Sequence, residues 1–339
     1  SGSQPTAKPR GSTCVDFPGY AVIRSAPMLQ GIHKTRASIP LFLAILAGLS
    51  LHPTRADARD PINVVVTIPV LKDLTEQVGR SHVRVQSLLS GYENEHTYSP
   101  KPSDLVAVRK AQLLFEVGIG LEVWVASLVK TAGSPSLRVV TTSQGIGVIH
   151  DDTGHRHGPH EGDTDTEGAG NPHIWLDPEN VTIMLRHITE ALIRIDPAHT
   201  DEYRNNQTAY LQQLDQLRTD LSRRVQSLPD RRFIAHHPAW PYFARHFGFE
   251  IAGTIQIQSG AEPSALHLQS LITTIKKDRV NVIVSEIQLS QRLPSLLAKE
   301  THARVVILTT LPGGLPGTET YLDMLRYNVL QLADALSQA

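Results

Sequence analysis

Cysteine is almost absent: Cys14 is the only one in 339 residues. That excludes a disulfide framework and a thiolate metal site, so metal chemistry in this chain must use histidine and carboxylates. Net charge is almost absent too, with 32 Lys and Arg against 33 Asp and Glu. Such a balance gives no electrostatic footprint for nucleic acid. No apolar run reaches the ~20 residues that a membrane-spanning helix needs; Ile39–Leu51 comes nearest. There is also no HExxH pair of a zinc hydrolase helix. What the chain does have is a 40% hydrophobic content, enough for an ordinary folded core. Its length exceeds one typical domain, so two lobes are expected.

The N-terminal part is set aside before any argument about fold. Met28 to Ala58 has the three parts of a secretory signal: basic His33, Lys34 and Arg36, the apolar Ile39–Leu51, and the small-x-small "ADA" at Ala56–Ala58. Residues 1–27 read as an upstream extension or artefact. The chain expected after cleavage starts near Arg59 and contains no cysteine. Attachment to lipid through an N-terminal cysteine is therefore not expected, and a periplasmic location is. Stability must come from the core, for which about 280 residues suffice.

From there strands and helices alternate. "INVVV" begins with a β-branched run, "VRVQSLL", "LLFEVG" and "LRVVTTS" follow as strands, and amphipathic stretches separate them. This is the pattern of a parallel sheet with helical crossovers. A polar loop at 150–170 interrupts it. A stretch at 197–229 has no internal Gly or Pro, and repeats Tyr203, Tyr210, Leu211, Leu214, Leu217 and Leu221 on one helical face. Such a helix is longer than a lobe needs and reads as the element joining two lobes. The alternation then resumes to the C-terminus. The expectation is an α/β protein of two lobes: N-terminal residues 59–196, linking helix 197–229, and C-terminal residues 230–339. Each lobe is a mainly parallel sheet flanked by helices, and the cleft between them is the place for a ligand.

Three histidines follow strands or close the polar loop. They are His96 in "NEHTYSP", His173 in "NPHIWLDP" and His237 in "FIAHHPAW". Three neutral imidazoles make a zinc site with one position open. Any one of 16 histidines is more often a solvated side chain than a ligand. His236 and His237 adjoin on a strand, so only one of the two can face the cleft, and periodicity does not choose between them.

Taken in order, "EHTYSPKPSDL", "NPHIWLDP" and "HPAWPYFARHFGFE" resemble the signature segments of the zinc/manganese (cluster A-I) periplasmic solute-binding proteins of ABC transporters. "VIVSEIQLSQRLPSLLAKE" and the "ETYLDMLRYNVLQLADAL" tail extend that resemblance over the whole chain after the signal. It implies two lobes joined by a rigid helix with a metal in the cleft. His96 and His173 would be ligands from the first lobe and His237 from the second. Many members carry an aspartate after the last strand, where this chain reads "VVILTTLPGG" and has Thr309 or Thr310. The fourth ligand is then water or Glu95, with Glu286 a weaker candidate.

Loss of that aspartate removes a hard oxygen donor and favours zinc over manganese. The resemblance implies a high-affinity Zn2+-binding protein, with the metal as cargo rather than cofactor. It would be a monomer that delivers to a membrane ABC permease, with a periplasmic metallochaperone as a further partner. Zinc-type members often carry a His-rich loop, and here His150, His155, His157 and His160 stand among acidic residues as accessory weak sites. Three rivals remain: a manganese or other divalent-metal protein of the same family, a zinc-dependent hydrolase with Glu95 as base, and an adhesin.

Overall fold

A computed structural model describes residues 60–150, 170–258 and 260–338. The expected signal, the extension before it, and His155, His157 and His160 lie outside the described residues. The first strand, β1 (Ile62–Val66), is buried along almost its whole length, as a β-branched run between two layers should be. It leads into α1 (Pro69–Gly79), which starts with proline where the missing N–H costs nothing. β2 (Val83–Ser87), α2 (Pro102–Lys110), β3 (Leu113–Glu116), α3 (Val125–Ala132) and β4 (Arg138–Thr141) follow. All pairings are parallel in the order β2-β1-β3-β4. β2 at the edge turns Arg84 and Gln86 to solvent, which a central strand could not do.

Two helices carry the chain from this sheet to the next. α4 (Pro178–Ile195) is started by Asp177, whose side chain accepts from the Glu179 N–H at 2.9 Å. α5 (Thr200–Gln226) is the long linking helix, 27 residues or about 40 Å. A short 3-10 turn, Pro197–His199, precedes it, so the helix proper begins a few residues inside the expected 197–229. Its buried face is Tyr203, Tyr210, Leu214, Leu217, Leu221 and Val225, while Leu211 is only half covered.

The second lobe repeats the plan: β5 (Arg232–Ala235), α6 (Pro241–Phe247), β6 (Glu250–Thr254), α7 (Ala265–Asp278), β7 (Val282–Glu286), α8 (Arg292–Thr301) and β8 (Arg304–Leu308). Its parallel order, β6-β5-β7-β8, is the first sheet's order again. Both sheets are α/β, as the alternation implied. The closing helix α9 (Tyr321–Ser337) packs on β8, but also along α5 and against α1. Tyr321 shows why. Its N–H donates to Asp73 Oδ2 in α1 at 2.9 Å, and its hydroxyl to the Trp175 carbonyl at 2.9 Å. One hydrophobic core therefore runs unbroken from β1 to α9, and a smaller cluster of Ile234, Leu271, Ile275, Ile283 and Leu297 fills the far side of the second sheet. The sequence pattern separates the lobes; the packing of α9 ties them together.

The carboxyl ends of both sets of strands face each other. Gly91, after β2, has φ 104°, and a Cβ there would meet the Pro312 carbonyl oxygen at 2.4 Å. Only glycine allows the two lobes to come this close. Gln288 spans the same seam, donating to Gly91 O at 2.7 Å.

Glu122 is buried at the carboxyl ends of β1 and β3, where it accepts from Thr67 Oγ1 at 2.6 Å, Val117 N at 2.8 Å and Gly118 N at 3.0 Å. Burial outweighs these donors and pushes its carboxyl up to about 7. A carboxyl raised in the folded state stabilises fully below its unfolded value and loses that contribution as pH rises through the folded one. Wild-type stability relative to Glu122→Gln should therefore fall between pH 4.5 and 7, by at most about 3 kcal/mol. Urea midpoints of the two proteins at pH 5 and pH 8 check this; a constant difference would contradict it.

Candidate metal centre

The loop after β2 brings Glu95 and His96 to the seam. Its shape is held locally: Asn94 Oδ1 accepts the His96 N–H at 2.9 Å, and Tyr98 OH donates to Asp104 Oδ2 at 2.6 Å and to Leu88 O at 3.1 Å. His173 enters just before the 3-10 turn Ile174–Leu176, which leads into α4. His237 follows the end of β5. These side chains come from three distant segments, yet His173 Nε2 lies 3.0 Å from His96 Nε2 and 3.4 Å from His237 Nε2. Glu95 Oε1 is 3.7 Å from His173 Nε2. One donor atom from each of Glu95, His96, His173 and His237 fits within a group no more than 4.8 Å across. The adjacent His236 turns away, with Nδ1 2.9 Å from Ser285 Oγ, so the strand alternation is resolved in favour of His237.

The imidazoles are aimed by groups behind them. Asn171 Oδ1 accepts the His173 backbone N–H at 3.1 Å and stands 2.9 Å from His173 Nδ1. That oxygen is an acceptor, so Nδ1 carries the ring proton and the Nε2 lone pair faces the cluster. The Asn171 amide spans the seam and donates to Pro238 O at 2.6 Å, one residue beyond His237. His237 Nδ1 lies 3.0 Å from Glu286 Oε1, an oxygen that also receives the Trp240 indole N–H. Glu286 thus sits behind His237, outside the group of four donors. Thr310 Oγ1 donates to Glu95 Oε1 at 3.2 Å, and Thr310 O accepts the Trp175 indole N–H at 2.7 Å. Thr309 is turned inward, donating to Leu311 O at 2.7 Å.

Electrostatics divide the three rings. Burial, with His237 beside it, pushes His96 down to about 4. Burial and its two imidazole neighbours hold His173 well below the ordinary histidine value. For His237 burial again opposes charge, but Glu286 and Glu95 outweigh it and raise the imidazole. Burial also raises the Glu95 carboxyl. Three imidazole nitrogens and one carboxylate oxygen around a point are the donor set of a tetrahedral zinc site.

Of the sequence-stated residues, the geometry unites Glu95, His96, His173 and His237 and leaves Glu286 behind them. His150 is described and exposed, one residue past Ile149, whose carbonyl accepts the Asn171 N–H at 2.7 Å. The acidic-histidine loop therefore closes its ends beside His173. Sequence reasoning missed Asn171 as the group that orients His173, although it stands only two residues away. It also missed two smaller groups, His82 with Asp196 and His199, and Asp177 with Glu179 and His246. The i,i+3 spacing of Asp196 and His199 was the available signal for the first.

The family model described as ZnuA, the periplasmic zinc-uptake complex component A, matches residues 64–335. A putative metal-binding protein of Treponema pallidum is 29% identical, over 88% of this chain and 94% of its own. The iron-binding protein YfeA of Yersinia pestis is 26% identical, over 92% of this chain and 100% of its own. The crystal structure of ZnuA superposes with a TM-score of 0.72 at 30% identity, covering 82% of this chain and all of that one.

Replacing Asn171 by Ala removes both the acceptor for His173 and the tie to Pro238. Divalent-metal affinity measured by calorimetry should fall about 10- to 100-fold, the usual effect of removing a group that orients a ligand. Circular dichroism should be unchanged, and an unaltered affinity would dismiss the orienting role.

Proposed function

This chain belongs to the ZnuA family of metal-binding ABC-transporter substrate-binding proteins, and from that premise we propose that it captures Zn2+ in the periplasm for delivery to a membrane permease. The single observation that carries this reading is the convergence of half-buried His96 with buried Glu95, His173 and His237. His96, His173 and His237 are the imidazole ligands in this proposal, and Glu95 takes the fourth position. Thr310, in the place where the family resemblance implies aspartate, then holds Glu95 rather than the ion.

Zinc is preferred over manganese because the donors are three nitrogens and one oxygen. Manganese favours more oxygen ligands and a higher coordination number. Relatives named for iron and manganese show that family membership alone does not choose the metal. The donor set supports zinc. The chain is read as exported without a lipid anchor and as a monomer in two lobes, residues 59–196 and 230–339, linked through 197–229.

The hydrolase reading gives way to the transport one. A catalytic zinc needs an open position and a base within reach of its water. Here Glu95, the only base offered for that reaction, fills the position itself. The family is one of transport proteins, which fits this assignment. No observation favours an adhesin.

The acidic-histidine loop, with His150, His155, His157 and His160, is proposed to collect zinc weakly. Ordering a long loop costs conformational entropy, so its sites bind less tightly than a preformed cluster. Its ends close next to Asn171, which hands captured metal to the cleft mouth. Calorimetry on a chain lacking residues 151–169 should lose weak zinc equivalents and keep the tight one. Equal stoichiometry in the two proteins would remove the loop from the mechanism.

Two outcomes are expected for the cleft. His237→Ala should lower zinc affinity by more than about 100-fold, since it removes a ligand outright. A strain lacking the protein should fail in zinc-depleted medium and recover with added zinc but not with manganese. Recovery with manganese alone would overturn the metal assignment.

A further inference from the structure

A second histidine–carboxylate group lies at the other end of the N-terminal sheet. His82 ends the short turn after α1 and immediately precedes β2, whereas His96 follows β2. The five residues of β2 separate these positions by about 16 Å along the strand. Asp196 closes α4, His199 ends the turn that follows, and Glu202 lies in the first turn of α5. Two chain segments, the turn before β2 and the junction of α4 with α5, thus meet at one point.

His82, Asp196 and His199 each present one donor atom within a group no more than 4.8 Å across. Glu202 Oε2 adds a fourth donor, 2.9 Å from His82 Nε2. The two imidazoles stack with centroids 3.8 Å apart at 25°. His199 Nδ1 is paired with Asp196 Oδ2, and Tyr203 OH donates to the same oxygen at 2.9 Å. That phenol fixes the carboxylate as a second layer of ligands does around a metal. The ring of Tyr203 also closes one side edge-on against His82, 5.8 Å away.

We infer that His82, His199, Asp196 and Glu202 form a second divalent-cation site for a borderline metal such as zinc, nickel or copper(II). The donor set decides the class: two imidazoles and two carboxylates, with no thiolate, suit these ions better than calcium or magnesium. Two neutral imidazoles and two carboxylates carry a net charge of −2, which one divalent ion neutralises. A bound cation would take the place where each imidazole now meets its carboxylate. The stacked rings must turn apart to converge on one ion, and His199, about one-third exposed, is free to do so.

The group is reachable from solvent and has one imidazole fewer than the cleft. Its affinity is accordingly lower and its exchange faster. A metal here pins the start of α5 to the end of α1, at the base of the linking helix.

The test is a calorimetric titration of the full chain with ZnCl2, for wild type and for His82→Gln/His199→Gln. The double variant should bind one weak equivalent fewer while the tight equivalent is retained, which shows that the fold and the cleft are intact. Glu202→Gln alone should weaken that same equivalent by roughly 3- to 10-fold. Identical stoichiometry in wild type and double variant overturns the site. If the double variant does not fold, anomalous diffraction at the zinc edge from zinc-soaked wild-type crystals decides. A peak between His82 and His199 supports the site, and its absence at millimolar zinc refutes it.

Discussion

The Nε2 atoms of His96 and His237, held 3.0 and 3.4 Å from that of His173 in a largely buried cluster, are the constraint on which the rest of this fold depends. Three protonated rings could not share that space. Burial keeps His96 and His173 neutral, and only His237, backed by Glu286, is drawn towards its charged form. Glu95 and Glu286 bring carboxyl groups into the same buried volume, where burial raises the Glu95 carboxyl. The cluster therefore has neutral imidazole donors ready beside acidic groups whose charged form a cation would stabilise. A dication satisfies both conditions more fully than a single proton on His237 does.

Holding such a cluster requires that its donors come from rigid places. Each histidine sits at the carboxyl end of a strand or at the entrance to a helix, where backbone geometry is set by the sheet. The second segment is the hub. Asn171 orients His173 and reaches Pro238; Trp175 donates to Thr310 O; Tyr242 OH donates to Asn171 O at 2.9 Å. Each of these contacts crosses between segments that the chain order keeps far apart. Trp175, Tyr242 and Tyr321 are fully buried, so breaking any one of them exposes large apolar surface as well as a polar group. Closure of the lobes is thus supported by packing as well as by the cluster itself.

Much of this was legible in residue pattern. The β-branched run of β1, the long stretch of α5 free of Gly and Pro, and the repeated strand–helix alternation are local signals, and local signals survive in a single sequence. The convergence of His96, His173 and His237 was legible only as a set, because His96 and His237 follow strands, which in parallel sheets end on one side, and His173 closes the polar loop. The supporting layer was not. Thr310 meets Glu95 across 215 residues, Tyr321 meets Asp73 across 248, and Glu286 meets Trp240 across 46. No periodicity encodes such pairs. α9 was assigned to the second lobe because it follows β8, and nothing in its amphipathic pattern distinguishes a partner in its own lobe from α1 or α5.

The exchange of a carboxylate between lobes has a mechanical consequence. With aspartate after the last strand, the second lobe would offer two donors and the first lobe two. In the proposed site Thr310 takes that place and the carboxylate is Glu95, so the first lobe supplies three donors and the second only His237. A metal can then be gripped by His96, His173 and Glu95 before the lobes meet, and His237 adds the final bond on closure. Closure no longer depends on two new metal bonds. It depends on one, together with the Thr310–Glu95 hydrogen bond and the seam at Gly91 and Gln288. In that proposed site, a partner that separates the lobes would break the Asn171–Pro238, Trp175–Thr310 and Gly91–Gln288 hydrogen bonds but would withdraw only one imidazole from the ion, leaving it on the first lobe.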